Sequence, residues 1–191
     1  PCFIKGIKLS MQTMPRLKRR IKFTIGLTCG HLPNKFYTEY LSEISGIKAS
    51  DLQSVDYRIK KKTTRAGNFK FQATSKTKNS GSELAFSDIS NIWGAGHFGM
   101  NACNFCDDVF SELADLSVMD AWLPEYEHDI DGSSLMIIRN QELVKLLLDG
   151  MRLKTCKVDS IDATEVKKSQ SGVIFHKKYL LEARLFWAGL K

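Results

Sequence analysis

Two cysteines three residues apart, Cys103 and Cys106, constrain the fold of this chain more than any other feature of its sequence. In a C-x-x-C segment the backbone curls so that both sulfur atoms face a common point. That arrangement suits a zinc ion, an iron–sulfur cluster or a redox-active disulfide. One such pair supplies half of a four-coordinate site, so a metal centre here requires that the fold bring further ligands to it.

The chain offers three more cysteines and four histidines as candidate ligands: Cys2, Cys29, Cys156, His31, His97, His128 and His176. We favour Cys2 and Cys29, because each lies beside a residue typical of turns, in Pro1-Cys2 and Cys29-Gly30. Cys156 lies in an alternating pattern that predicts an ordinary strand. The histidines other than His31 are interpreted as surface or structural residues.

The favoured set has the spacing C-x26-C-x73-C-x2-C, which matches no compact zinc-finger or ferredoxin consensus. From the residues alone, two alternatives therefore stay open. One is a metal centre that holds zinc or a cluster. The other is a set of unliganded thiols, which are among the most buried side chains in proteins, within a metal-free interaction domain.

Length and composition narrow the class of protein. The chain has 191 residues, of which 43% are hydrophobic, so it can bury a substantial core. No apolar run approaches the roughly 20 residues that span a bilayer, and we expect a soluble protein. Five cysteines, two of them in C-x-x-C, favour a reducing compartment, which places the protein in the cytoplasm. The proline at position 1 indicates a piece of a longer protein whose N-terminal part is missing.

The formal net charge of +7 is unevenly distributed. Residues 101–138 contain nine acidic residues and no lysine or arginine, whereas basic residues concentrate in 16–22 and 58–65. These basic runs are either solvated faces or a surface for phosphate-bearing or acidic ligands, nucleic acid included. A zinc-stabilised basic module that binds nucleic acid is therefore an alternative to be kept.

Hydrophobic periodicity predicts alternating helices and strands. Helical spacing is found over 3–20, interrupted near Pro15, and over 35–45, 83–93, 107–113, 141–150 and 175–187. Strand patterns are found over 21–28, 52–60, 68–74, 114–118, 133–139 and 152–161, the second and third forming a hairpin. The first strand and the second helix are interpreted as a β-turn-α unit with Cys29 at the turn. The pattern predicts one α/β or α+β domain over 1–191, a mixed β-sheet flanked by helices, with a cysteine-bearing loop region.

Two of these patterns place apolar residues on one side of an element. In 21–28 that side carries two isoleucines, a phenylalanine and a leucine: Ile21, Phe23, Ile25 and Leu27. In 35–45 one helical face carries Phe36, Tyr40, Leu41 and Ile44. Such one-sided spacing is typical of a strand and of a helix, respectively.

The stretch Gly94-Ala-Gly96-His-Phe-Gly99 matches the dinucleotide-binding fingerprint letter for letter. That fingerprint binds a pyrophosphate only where a hydrophobic strand precedes it and a helix follows. Neither is predicted here, and Cys103 follows too soon for a helix. We therefore interpret the stretch as a flexible loop that leads to the cysteines.

Several separated stretches carry a resemblance to a known family. They are Pro1-Cys2-Phe-Ile-Lys-Gly6, Leu27-Thr-Cys29-Gly30-His31, Tyr57-Arg58-Ile-Lys60, Ala102-Cys103-Asn-Phe-Cys106-Asp107 with the following Glu112 to Trp122, and Gly132-Ser-Ser134-Leu-Met-Ile-Ile-Arg139. In this order they resemble the C-terminal domain of the coenzyme F420 hydrogenase/dehydrogenase beta subunit family. One departure is Met119, which stands where the family has a glycine before an aspartate.

The resemblance implies an oxidoreductase that contains iron–sulfur and flavin groups. FAD would exchange a hydride with a reduced cofactor, coenzyme F420 or another, and pass single electrons to a [4Fe-4S] cluster. Carried over residue by residue, the cluster ligands are Cys2, Cys29, Cys103 and Cys106. The implied partners are a redox partner protein or domain and the missing N-terminal region, and nucleic acid is not expected.

Flavin contacts follow less directly from the resemblance. The candidates are a glycine turn and the cations near it, which suit a pyrophosphate: Gly30, His31, Arg58, Lys60 and Arg139. No catalytic side chain is assigned, because in hydride transfer between cofactors the cofactors carry the reaction.

Overall fold

Two three-stranded sheets, each in its own unit of the chain, organise the fold. The structure is a computed structural model that describes residues 1–60 and 65–190. The first unit comprises Pro1–Gly30, Asn104–Leu123 and Ser133–Lys191, and the second comprises His31–Cys103 and Pro124–Gly132. The predicted basic run 58–65 lies partly outside the described residues, because Lys61 and Lys62 fall in the gap.

The first unit contains a small mixed sheet. Its strands are β1 (Ile25–Leu27), β5 (Leu116–Asp120) and β6 (Ser134–Ile138), in the order β1-β5-β6. Strand β1 runs parallel to β5 with Ile25 opposite Leu116, and β6 runs antiparallel to β5 with Ile138 opposite Leu116. The prediction of a mixed sheet flanked by helices is confirmed.

Helices precede and follow these strands along the chain. They are α1 (Cys2–Thr13), α2 (Pro15–Arg20), α5 (Gln141–Arg152), α6 (Ala163–Ser169), α7 (Ser171–Ile174), a π-helical turn (Phe175–Tyr179) and α8 (Leu181–Trp187). The predicted interruption at Pro15 is confirmed, since the backbone leaves the helical region at Met14 and restarts with Pro15 at the first helical position. The basic residues of α2 are exposed, as expected of a solvated face.

Within β1, the apolar side of the 21–28 pattern is the exposed side. Ile25 and Leu27 are 61% and 68% exposed, whereas Thr24 and Gly26 on the other side are buried. The reason is local packing: a Cβ atom at Gly26 would lie 2.3 Å from the Cβ atom of Ser111. At Gly26 the inner side of β1 thus approaches Ser111 too closely for any side chain larger than hydrogen.

Three further expectations in the first unit were wrong. Residues 107–113 form turns instead of a helix, because Ser111 has a positive φ of 49°. Gly150 lies inside α5 and does not end it; the chain leaves the helix after Arg152, where Lys154 has a φ of 56°. Residues 153–162 form turns and coil, so Cys156 is not in a strand.

The closing segment 175–187 is helical, but it is not one regular helix. It begins with the π-helical turn Phe175–Tyr179, passes through a turn at Leu180, and ends with α8. Helices α6 and α7, which precede it, were not predicted from the sequence. The side chain of Asp162 caps α6 by accepting a hydrogen bond from the backbone N–H of Thr164.

The second unit is built on an antiparallel sheet. Its strands are β2 (Leu52–Ile59), β3 (Lys70–Ser75) and β4 (Leu84–Ala85), in the order β2-β3-β4. The predicted hairpin is confirmed, with Val55 opposite Ala73. Helices α3 (Lys35–Ile44) and α4 (Phe86–Gly94) pack on the sheet around one core: Tyr37, Leu41, Ile47, Phe71, Ala73 and Ile89.

Of the apolar face noted in 35–45, Leu41 alone is buried. Tyr37, Leu41 and Ser42 are buried, while Phe36, Tyr40 and Ile44 are 54%, 41% and 43% exposed. Ser42 is tolerated in the core because its hydroxyl donates a hydrogen bond of 2.7 Å to the carbonyl of Ile47. The two elements of the predicted β-turn-α unit fall in different units, β1 in the first and α3 in the second.

The glycine-rich stretch 94–99 follows helix α4, not a strand. The backbone geometry that the dinucleotide fingerprint requires is therefore missing at this position. In the described part of the chain, no helix has the length and apolar character needed to cross a membrane.

Asp115 connects several elements of the first unit. One carboxylate oxygen accepts hydrogen bonds from the N–H and hydroxyl of Thr24, at 2.9 and 2.7 Å, and from Lys8 at 3.1 Å. The other accepts from the side-chain amide of Asn140 at 3.2 Å. Burial alone would raise the pKa of this carboxyl, but the bonds from Thr24, Asn140 and Lys8 outweigh burial and hold the pKa well below its usual range.

We expect Asp115→Asn to lower the free energy of unfolding at pH 7 by about 2 kcal/mol, because charged hydrogen bonds are lost. Since the pKa is lowered in the folded state, this stabilisation is present above the unfolded-state pKa and lost as the pH falls through the folded-state pKa. The difference between wild type and variant should therefore narrow below about pH 4. Urea unfolding across pH measures it, with Asp149→Asn, an exposed ion-pair partner of Arg152, as the control.

Gly26→Ala should destabilise the protein by about 1–3 kcal/mol through overpacking. The added methyl group would lie 2.3 Å from the Cβ atom and 2.6 Å from the hydroxyl of Ser111, which is fully buried. Gly6→Ala is the matched control, because nothing lies within 4 Å of a Cβ atom there and alanine is the better helix former. Urea midpoints should fall for the first variant alone; equal midpoints would contradict the close approach.

Candidate metal centre

Cys106 lies in the first unit beside a buried lysine. Its sulfur is 3.2 Å from Nζ of Lys177, which also donates a hydrogen bond of 2.8 Å to the carbonyl of Asp108. Lys177 is only 2% exposed. Hydrogen bonds from N–H donors to sulfur are usual around metal-bound cysteines.

Cys103 lies at the end of the long segment of the second unit. A 3₁₀-helix over Asn101–Phe105 carries it, and its N–H donates to the carbonyl of Met100. Its sulfur accepts a hydrogen bond of 3.4 Å from the backbone N–H of Leu32. Backbone N–H groups directed at sulfur are the usual surroundings of cluster ligands.

Cys2 and Cys29 belong to the first unit. Cys2 is the first residue of α1 and is exposed. Cys29 follows β1 and is partly buried, and its N–H donates to the carbonyl of Val109 at 3.2 Å. Cys156 is exposed outside any helix or strand, and its sulfur lies 3.9 Å from the carbonyl of Leu147.

The four predicted ligands are divided between the units, Cys103 in the second and Cys2, Cys29 and Cys106 in the first. Within residues 1–60 and 65–190, no three His, Cys, Asp or Glu side chains lie close enough together to hold a metal ion. The chemistry of the donors nevertheless fits a cluster, because all four cysteines are thiols instead of disulfides. Two of their sulfurs also accept N–H hydrogen bonds.

The residues predicted to contact the flavin are divided between the two units. Gly30 and Arg139 lie in the first unit. His31, Arg58 and Lys60 lie in the second. Within their units, the ring of His31 lies 4.5 Å from that of Trp93, the guanidinium of Arg58 lies 5.1 Å from the ring of Phe69, and Lys60 donates to the carbonyl of Ile130.

Arg139 has a structural role in addition to the predicted one. Its guanidinium donates to the hydroxyl of Ser117 at 2.9 Å and to the carbonyls of Ala114 and Phe110, both at 3.3 Å. The two carbonyls belong to the turn segment between Cys106 and β5, and Ser117 lies in β5 itself. Arg139 thus fixes the conformation of the segment that follows the C-x-x-C pair.

Sequence reasoning missed the cations that contact this segment from the C-terminal helices. Lys177 contacts Cys106, and Nε of Arg184 donates to the carbonyl of Asn104 at 3.1 Å. Lys178 pairs with Glu112 at 3.1 Å; burial lowers its pKa, but Glu112, Asp107 and Asp108 outweigh burial and raise it. The helical pattern of 175–187 indicated a helix, but a buried lysine in it gives no sequence signal.

A comparison with protein families gives a match over residues 1–164, to the family described as the C terminus of the coenzyme F420 hydrogenase/dehydrogenase beta subunit. The chain belongs to this family. The resemblance noted from the cysteine motifs is confirmed, and with it the assignment to a family of oxidoreductases. All four predicted ligands lie within the matched residues. No curated protein matches the chain significantly.

One solved structure has the same fold as this chain. It belongs to the F420-reducing [NiFe] hydrogenase complex from Methanosarcina barkeri, and its chain matches with a TM-score of 0.57 and 14% sequence identity. The match covers 97% of this chain and 60% of that one. The chain thus spans less than two thirds of the length of that relative, and the likeness is one of fold.

We expect Arg139→Gln to lower the free energy of unfolding of the flavin-free chain by about 1 kcal/mol, because three acceptors lose their donor. Arg152→Gln removes the same charge from an exposed helical ion pair and should have almost no effect. Urea unfolding of both variants measures the difference. An unchanged midpoint for the Arg139 variant would contradict the structural role of this side chain.

Proposed function

We propose that the chain is the C-terminal part of an iron–sulfur flavoprotein, an oxidoreductase that holds a [4Fe-4S] cluster through Cys2, Cys29, Cys103 and Cys106. The observation that carries the proposal is the family match over residues 1–164, which contains these four thiols. The cysteines are thiols, as cluster ligation requires. A reducing compartment keeps them so, which places the protein in the cytoplasm.

FAD exchanges a hydride with a second cofactor, and a [4Fe-4S] cluster accepts or donates one electron at a time. The role of this chain is to bind and orient such groups. The four thiolates would hold iron, and the N–H of Leu32 would donate to the sulfur of Cys103. The ammonium of Lys177 would offset negative charge at Cys106.

We propose that FAD is contacted by Gly30, His31, Arg58, Lys60 and Arg139. A glycine allows close approach of a pyrophosphate, and the cations would neutralise its charge. The hydride donor is coenzyme F420 or another reduced cofactor. The proposed partners are a redox partner protein and the N-terminal region of the parent protein. The first is supported by the similar chain, which comes from a hydrogenase complex.

The chain purified without oxygen should be brown and contain about four iron atoms per molecule, as a [4Fe-4S] cluster requires. Cys103→Ser should lose most of this iron, because a serine hydroxyl is a poor cluster ligand. Cys156→Ser is the matched control, since Cys156 is outside the proposed ligand set and exposed, and it should retain the iron. Iron and acid-labile sulfide analysis with visible spectroscopy provides the measurement.

A colourless protein that holds one zinc and no iron would overturn the proposal and favour a zinc-stabilised module. Equal iron loss in the Cys103 and Cys156 variants would show that the ligand set is wrong. Flavin is measured in the same samples by fluorescence after acid release.

A further inference from the structure

Three cations of the C-terminal helices contact the segment that carries Cys106. They are Lys177, Lys178 and Arg184, and all lie beyond the family-matched residues 1–164. The segment they contact, Asn104 to Glu112, lies in the same unit. The positive charges of these three side chains therefore come from a part of the chain outside the family match.

The three cations differ in what they contact. Lys178 pairs with the side chains of Glu112 and Asp107, at 3.1 and 4.0 Å, so its charge is balanced by carboxylates. Arg184 donates to the backbone carbonyls of Asn104 and His176. Only Lys177 among these three is directed at a sulfur atom.

The charge of Lys177 needs a partner because the side chain is buried. An ammonium group taken out of water is costly unless an anion or several acceptors compensate. Its acceptors in the described residues are the carbonyl of Asp108 and the sulfur of Cys106, and no described carboxylate forms an ion pair with it. A metal-bound cysteine is a thiolate, and it would supply the missing negative charge.

Charges of both signs lie around this pair. Burial, followed by the charges of Arg184 and Lys177, lowers the pKa of His176. One nitrogen of Arg184, Nη2, is buried and has no hydrogen-bond partner among the described residues. Of the acidic side chains nearby, Asp107 and Glu112 pair with Lys178, and Asp108 accepts a hydrogen bond from the backbone N–H of Glu112.

We propose that Lys177 is a positioning residue that donates a charged hydrogen bond to the ligand sulfur of Cys106 and raises the reduction potential of the cluster. The inference rests on the proposed function. An electron passed from the reduced flavin would add one negative charge to the cluster, and no bond to the protein would form or break. The fixed ammonium of Lys177 at a ligand sulfur would stabilise that reduced state more than the oxidised one.

The test compares Lys177→Met, which keeps the length of the side chain and removes its charge, with Lys178→Met, which removes an equal charge one residue away. We expect Lys177→Met to shift the ratio of reduced to oxidised cluster at a fixed potential about tenfold toward oxidised, or about 59 mV for one electron. Lys178→Met should shift it much less, and Lys177→Arg should stay near wild type. Potentiometric titration followed by electron paramagnetic resonance measures the potential.

A second readout does not require the cluster. In the iron-free chain, the amides of 104–112 should exchange with deuterium faster in Lys177→Met than in wild type, because the bond to the Asp108 carbonyl is lost. Exchange as slow as in wild type would overturn the contact itself. This measurement also decides the outcome if the Met variant does not assemble a cluster.

The outcomes separate this inference from the proposed function. If wild type holds no iron, the proposed function fails. If wild type and Lys177→Met both hold about four irons and have the same potential, the proposed function stands and the role of Lys177 is rejected. If Lys177→Met and Lys177→Arg shift the reduction potential equally, the charge of the side chain does not act on the cluster. The inference is then rejected too.

Discussion

The first unit depends on the hydrogen bonds that the carboxylate of Asp115 accepts. This carboxylate joins α1 through Lys8, the approach to β1 through Thr24, and the N-cap of α5 through Asn140. The backbone carbonyl of Asp115 also accepts hydrogen bonds from the N–H groups of Arg139 and Asn140. A parallel strand as short as β1 has few ladder bonds of its own, so side-chain bonds of this kind hold it in register.

Hydrogen bonds also connect β1 with the segment that carries Cys106. Asp115 fixes the start of β5, and Arg139, at the end of β6, ties the preceding turns through Ser117 and the Phe110 carbonyl. Those turns include Ser111, whose hydroxyl donates to the carbonyl of Leu27 beside Gly26. The sheet and the segment that carries Cys106 are therefore one hydrogen-bonded assembly within the first unit.

The sequence predicted the elements that local patterns determine. Pro15 breaks the N-terminal helix, Gly46 ends α3 with a positive φ of 93°, and the strands at 52–60 and 68–74 pair as a hairpin. Burial was harder to predict, because the inward side of β1 carries Thr24 and Gly26. Polarity alone does not reveal that the carboxylate of Asp115 and the side chain of Ser111 lie on that side.

The sequence indicated the candidate cysteine ligands of the site but not the cations that lie near them. C-x-x-C is recognisable in any chain, and the order of the motifs pointed to the family. Lys177 has no such pattern: among many lysines in this chain, it is buried only because of the tertiary fold. The division of the predicted flavin contacts between two units was likewise invisible in the linear order of motifs.

The π-helical turn at Phe175–Tyr179 has a consequence for how this segment tolerates insertions and deletions. A π-turn accommodates one residue more than an α-helical turn, and thereby rotates the side chains on either side of it relative to each other. Loss of a single residue there would leave the segment helical and its composition nearly unchanged. It would nevertheless direct a different side chain toward the sulfur of Cys106. The contact therefore depends on the length of this turn as well as on Lys177.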